Sequence, residues 1–165
     1  MTLVRLIPFT TDLLKALAFD RAAFVKALSM PVCDDWPNQD FRDAIPFFLA
    51  SRSSNPEEER WSFLIVDEAS SQVVGAIGAK SPPNEKGEME IGYGVAPSQR
   101  NRGVAYSALM AFLKITSTEG SIRATTAECL ETNLPSIRVL EKCSFRRVGT
   151  RDSDEGRLIL WRRDI

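Results

Sequence analysis

The run Tyr93-Gly94-Val95-Ala96-Pro97-Ser98-Gln99-Arg100-Asn101-Arg102-Gly103-Val104-Ala105 passes from a strand-like segment through a polar loop straight into a stretch of helical periodicity. Free amides at a helix start converge on an anion and the helix dipole adds to them, so this run suits a pyrophosphate. Small residues at Gly103 and Ala105 let phosphate oxygens reach the backbone, and Arg100 and Arg102 can add charge-assisted contacts. Solvated arginines beside an ordinary helix-start glycine explain the same residues. There is no G-K-[ST] and no G-x-G-x-x-G, which argues against nucleotide hydrolysis and dinucleotide binding.

Histidine is absent from all 165 residues, which removes Ser-His-Asp and Cys-His nucleophile systems and H-E-x-x-H metal sites. Acid–base work then falls to carboxylates, Tyr, Lys, Cys or bound water. Cys33, Cys129 and Cys143 are widely spaced with no C-x-x-C, so they read as buried thiols, and no metal site is expected.

The elements that must position the loop follow from periodicity and punctuation. Leu3 to Ile7 reads as a first strand, and Thr10, Thr11 or Asp12 caps one amphipathic helix running to about Leu28. MPVCDDWPNQ is a loop, Asp40 to Ala50 a second helix kinked at Pro46, and SRSSNPEEER a surface connection. WSFLIVD, QVVGAIGAK and MEIGYGV are strands, with Gly92 and Gly94 marking a bulge or a close approach to the backbone. Gly103 to about Thr116 is a helix, IRATTAE a strand, and Leu134 to Cys143 a helix. FRRVGTRD and GRLILWRR close as a hairpin around Ser153 to Gly156. This order predicts an α/β fold with a mixed sheet, in one domain spanning 1–165.

Composition excludes whole classes of function. With 44% hydrophobic residues and a net charge of −1, the chain is a globular sequence without the general field that draws nucleic acid or an anionic membrane. Asp12 and Lys15 interrupt the apolar N-terminal stretch, so a soluble, cytoplasmic protein is expected.

R-N-R-G-V-A at Arg100 to Ala105, preceded by Val95 and Pro97, resembles the [QR]-x-x-G-x-[GA] pattern of the GNAT N-acetyltransferase superfamily. The likeness continues into E-T-N-L-P-S-I-R-V-L-E-K-C-S-F from Glu131 to Phe145, similar to the family's second cofactor segment with Asn133, Ser136, Glu141-Lys142 and Phe145 in register. Within the superfamily, M-E-I-G-Y-G-V and the N-x-x-S-I-R-V-L-E-K run resemble the subgroup of ribosomal-protein N-terminal acetyltransferases, which also holds small-molecule enzymes. The resemblance implies a GNAT-like, mostly antiparallel central sheet with helices on both faces. It implies acetyl-CoA as co-substrate, with the backbone of Arg100, Asn101, Arg102, Gly103, Val104 and Ala105 on the pyrophosphate. The strand at Val95 would pair with the pantetheine, and Asn133 and Ser136 would lie beside the thiol arm. By their own positions Tyr93 and Tyr106 read as packing residues instead of acids, although Tyr93 sits close enough in sequence to that strand to line the same slot.

An acetyl-transfer reading needs a neutral amine, an oxyanion donor and a path for two protons. The donor is a strand amide near Val95, freed by the expected bulge. Glu90 and Glu128 are the candidate bases, although either can be an ordinary solvent-facing strand residue. Leu140 stands where many relatives carry a Tyr that protonates the departing thiolate, so Ser136 or a water takes that role. Ser144 stands where the family usually has Gly, which costs Ser roughly 1 kcal/mol if the backbone there is left-handed. Trp36 with Asp34 and Asp35 would form an aromatic and anionic wall for the acceptor, or else a rim Trp with solvated aspartates. Asp152, Asp154 and Glu155 read as a solvated turn. The expected activity is acetyl transfer to a primary amine, on a small molecule or a protein N-terminus, by direct attack. The rival is a non-catalytic acyl-CoA-binding module. Pairing of the closing hairpin across a homodimer stays open.

Overall fold

The computed structural model describes residues 2–165. Seven strands form one sheet in the order β1-β2-β3-β4-β5-β7-β6. They are β1 (Val4–Pro8), β2 (Ser62–Asp67), β3 (Gln72–Ala79), β4 (Glu88–Val95), β5 (Ala124–Leu130), β6 (Arg146–Ser153) and β7 (Gly156–Asp164). Only β4 and β5 pair in parallel, so the sheet is mixed and mostly antiparallel, as the resemblance implied. The helices are α1 (Thr11–Phe19), α2 (Arg21–Leu28), α3 (Gln39–Ser54), α4 (Val104–Ser117) and α5 (Leu134–Lys142).

Helices cover both faces. Ser62 and Phe63 are neighbours on β2 and so point to opposite sides. Phe63 meets Phe112 of α4 with ring centroids 6.0 Å apart, whereas Ser62 Oγ accepts from Arg52 Nη2 of α3 at 2.6 Å. No helix among the described residues is long and apolar enough to cross a membrane.

The helix expected from Thr10 to Leu28 is two. Asp20 breaks it with an extended backbone: its amide donates to Ala16 O to close α1, while its side chain accepts from Ala23 N at 2.6 Å to cap α2. A carboxylate that caps one helix while closing the previous one leaves no loop residues behind. The SRSSNPEEER segment is likewise not a plain surface connection. Its first residues complete α3, the rest form a 3-10 turn at Pro56–Trp61, and Arg52 and Glu58 are both buried. Glu58 accepts from Ser51 Oγ at 2.7 Å, which satisfies the buried carboxylate.

Trp36 does not face a ligand. It is 2% exposed and packs within an aromatic core of Phe9, Phe24 and Phe41, at centroid distances of 6.3, 5.8 and 5.3 Å. Arg21 holds this loop inward by donating to the carbonyls of Val32 and Cys33 at 2.8 and 3.1 Å. Asp34 remains exposed, 3.9 Å from Arg21.

Candidate active site

The site begins where two strands part. The parallel ladder between β4 and β5 holds only Glu88↔Ala124, Met89↔Thr125 and Glu90↔Thr126, yet β4 runs on to Val95 and β5 to Leu130. On its other edge β4 stays paired with β3 without a register shift from Ile91 to Val95. The bulge expected at Gly92 and Gly94 is therefore absent. The shift in the neighbouring ladder lies at Ile65/Val66, between β2 and β3.

What frees the β4 amides is the parting of the strands. Lys80 N donates to Glu90 O and Ala96 N to Val74 O, both at 2.8 Å, so the β3-facing groups fall on even-numbered positions. Antiparallel alternation turns the N–H and C=O of Tyr93 and Val95 toward the gap. Val95 O there accepts from Arg100 Nε at 3.2 Å, which folds the following loop back over the strand end.

That loop ends in a helix start with no side-chain cap. Gly103 is the N-cap of α4, at φ 80°, and Asn101 is also left-handed at φ 60°. The two left-handed residues turn the chain sharply into an uncapped helix start, where backbone amides receive anions. A Cβ placed on Gly103 or on Gly94 would meet nothing within 4 Å, so the space beside both is open. Arg100, Asn101, Arg102 and Gly103 are exposed, while Val104 anchors the helix start in the core. Arg102 reaches Gln99. This backbone fits a pyrophosphate.

The loop is tied down from outside. Asp35 accepts from Ser98 N at 2.7 Å, from Ser98 Oγ at 2.9 Å and from Cys33 Sγ at 3.0 Å. The thiol and then the Ser98 amide hold its carboxyl below the usual carboxylate range. Asp35 thus anchors the loop that leads into α4 instead of lining an acceptor wall. Replacing it with Ala should lower stability near neutral pH by about 1 kcal/mol. A depressed carboxyl stabilises above its unfolded pKa and loses that contribution as pH falls through the folded one. The wild-type advantage in urea unfolding should therefore vanish under acid; an equal advantage at both pH values would refute the anchoring role.

Period-two alternation sorts the remaining candidates onto two faces of the gap. Glu90 and Glu128 lie on the face away from α4, each already paired. Lys80 Nζ is 2.5 Å from Glu90 Oε1, and Arg151 donates to both oxygens of Glu128 at 3.0 and 2.6 Å. Arg151 holds the Glu128 carboxyl below its ordinary value, and Lys80 adds to this through space, so the four charges form one cluster. Nothing in the sequence pointed to Arg151, which stands 23 residues from its partner.

The opposite face carries hydroxyls and thiols. Asn133 Oδ1 caps α5 by accepting from Ser136 N at 3.2 Å, which sets Ser136 in the first turn. Tyr93 neighbours Ser136, and burial pushes its hydroxyl up to about 12, the Ser136 hydroxyl offsetting part of the rise. Cys129 Sγ accepts from Trp161 Nε1 at 3.3 Å, and Leu140 is buried at 1% exposure. Ser144 adopts the left-handed backbone expected of it, at φ 62°. At the hairpin turn, Asp152 is paired with Arg157 at 3.3 Å.

A parted strand pair, a glycine-started helix beyond it and polar side chains on both faces define an acyltransferase architecture of the GNAT type. The acetyltransferase (GNAT) domain family matches residues 4–146, and the chain belongs to this family of acetyl-CoA-dependent acyltransferases. It is 30% identical over 143 residues to the uncharacterized N-acetyltransferase YjdG of Bacillus subtilis (strain 168), covering 86% of this chain and 85% of that one. Its fold is similar to that of a GnaT-family acetyltransferase from Bordetella pertussis, with TM-score 0.70, 20% identity and 99% of each chain covered. It is also similar to that of RimL, a ribosomal L7/L12 alpha-N-protein acetyltransferase solved in complex with coenzyme A. There the TM-score is 0.68 at 17% identity, covering 100% of this chain and 96% of the other.

Proposed function

We propose that residues 1–165 form one catalytic domain, working in the cytoplasm, that moves an acetyl group from acetyl-CoA to a primary amine by direct attack. The observation that carries this is the ladder that ends at Glu90↔Thr126 while both strands continue, opening a slot that leads to the uncapped start of α4. Acetyl-CoA supplies, when bound, a thioester acyl group and a thiol leaving group.

The chain's own groups divide the remaining work. The loop amides from Arg100 to Ala105 and the α4 dipole hold the pyrophosphate, while Tyr93 and Val95 offer backbone groups to the pantetheine. The Val95 amide is the donor aimed at the thioester oxygen, where a preorganised N–H is worth most. Asn133 and Ser136 flank the thiol arm. Glu90 and Glu128 hold the incoming ammonium in place of Lys80 and Arg151 and take its proton, directly or through water. The acceptor is a protein N-terminus or a small-molecule amine. The RimL likeness supports the first.

Direct attack needs no covalent relay, and Cys129 supports that. Burial raises its thiol above the ordinary value, which keeps it protonated and a poor nucleophile. Cys129→Ala should retain turnover within about threefold, whereas lost turnover with unchanged acetyl-CoA affinity would establish an acyl-cysteine route.

The deciding experiment is mass-spectrometric detection of acetylated product from acetyl-CoA against N-terminal peptides, polyamines, aminoglycosides and amino acids. A product is expected. Saturable acetyl-CoA binding with no product from any class would favour a non-catalytic acyl-CoA-binding module.

A further inference from the structure

Two facts about this face of the slot bear on where a proton donor could sit. Leu140, which stands where related enzymes carry an acid, is sealed in the core at 1% exposure and offers no polar atom. Tyr93 Oη, by contrast, is a buried oxygen with no hydrogen-bond partner. The Ser136 hydroxyl lies near enough to ease ionisation of Tyr93, but the two make no hydrogen bond. A buried hydroxyl left unpaired costs free energy, and Phe in the same place would not incur it. The oxygen therefore signals a ligand atom that completes it.

Position says which atom. Tyr93 sits on β4 beyond Glu90, the last residue paired with β5, and its side chain lies among Ser136 of α5, Cys129 of β5 and Cys143. It is thus on the face of the gap opposite Glu90 and Glu128. In acetyl transfer the amine must lose a proton on one side while the sulfur gathers negative charge on the other. A hydroxyl on the face away from the carboxylates is suited to the second task and not to the first.

Resting on the acetyl-CoA reading above, we infer that Tyr93 is the catalytic hydrogen-bond donor to the coenzyme-A sulfur, supplied from strand β4 in place of the acid that α5 lacks at Leu140. Tyr93 O–H donates to the sulfur as the carbon–sulfur bond breaks and its electron pair moves onto sulfur. The ammonium gives one proton to the carboxylates or to water before attack and a second to water as the amide forms. The thiolate takes up a proton from solvent, so Tyr93 ends the cycle as it began. Tyr93 serves this at any working pH because it stays un-ionised.

The test compares affinity for coenzyme A with affinity for desulfo-coenzyme A, which lacks the sulfur, in wild type and in Tyr93→Phe. Wild type should prefer coenzyme A, and the variant should lose roughly five- to twentyfold of that preference while binding desulfo-coenzyme A unchanged. Turnover should fall by about tenfold or more with the KM for acetyl-CoA unaltered. The melting temperature of Tyr93→Phe should stay the same or rise, an outcome that a structural hydroxyl would not give. An unchanged preference for coenzyme A in Tyr93→Phe overturns the inference, as does a wild type that binds the two ligands equally. Failure of wild type to bind either overturns the acetyl-CoA reading itself, and Tyr93 with it.

Discussion

Replacing Glu90 and Glu128 together by Gln should lower kcat by about a hundredfold, the lower end of what a positioned base contributes. The modest size follows from the ion pairs. Arg151 bonds both oxygens of Glu128 and holds its carboxyl down, so the ionised form is stable but takes a proton reluctantly. Such a carboxylate is better at holding an ammonium than at stripping it, and water carries part of the transfer. Either single change should cost less than the pair because the second carboxylate remains on the same face. Saturable binding of acetyl-CoA should be unchanged, since neither residue touches the loop from Arg100 to Ala105. A double variant within about twofold of wild-type turnover would remove both carboxylates from the mechanism.

Gly103→Val should weaken acetyl-CoA binding by at least tenfold, with two separable causes. The first is strain, because Gly103 sits at φ 80° and an L-residue there costs about 1 to 2 kcal/mol. The second is occupancy. A Cβ added there meets no heavy atom within 4 Å, so the side chain starts out into the space proposed for phosphate. Gly103→Asn separates them, since Asn tolerates the left-handed region. It should melt close to wild type yet still bind acetyl-CoA poorly. Wild-type affinity in Gly103→Asn would place the pyrophosphate elsewhere.

Much of the fold was legible because its signals are local. Pro135 and Asn133 announce α5, Gly103 announces α4, and the turn between Ser153 and Gly156 marks the closing hairpin. The loop before α4 and the start of α5 were legible as elements for the same reason, being continuous in sequence. What was not legible depends on distance along the chain. Asp20 looks like any helical residue until both neighbouring helices are seen to use it. Trp36 between aspartates and prolines reads as a loop residue, and only the arrival of Phe9, Phe24 and Phe41 makes it core. The glycines at Gly92 and Gly94 suggested a bulge, because period and composition do not reveal where a neighbouring strand departs. Glu90 and Glu128 were proposed from position alone, while Lys80 and Arg151, which pair with them, were not legible.

The three-residue ladder between β4 and β5 is also the mechanical seam of the sheet. Beyond it the halves β1–β4 and β5–β7 are joined at one end only, where Arg123 N and Ala124 N donate to Gly87 O and Glu88 pairs with Arg162 of β7. On the proposed reading, a cofactor arm paired with the edge of β4 would supply the strand that the seam omits. Binding and tensile strength would then become one property: the loaded molecule should resist separation along this line better than the empty one, and its amides there should exchange more slowly.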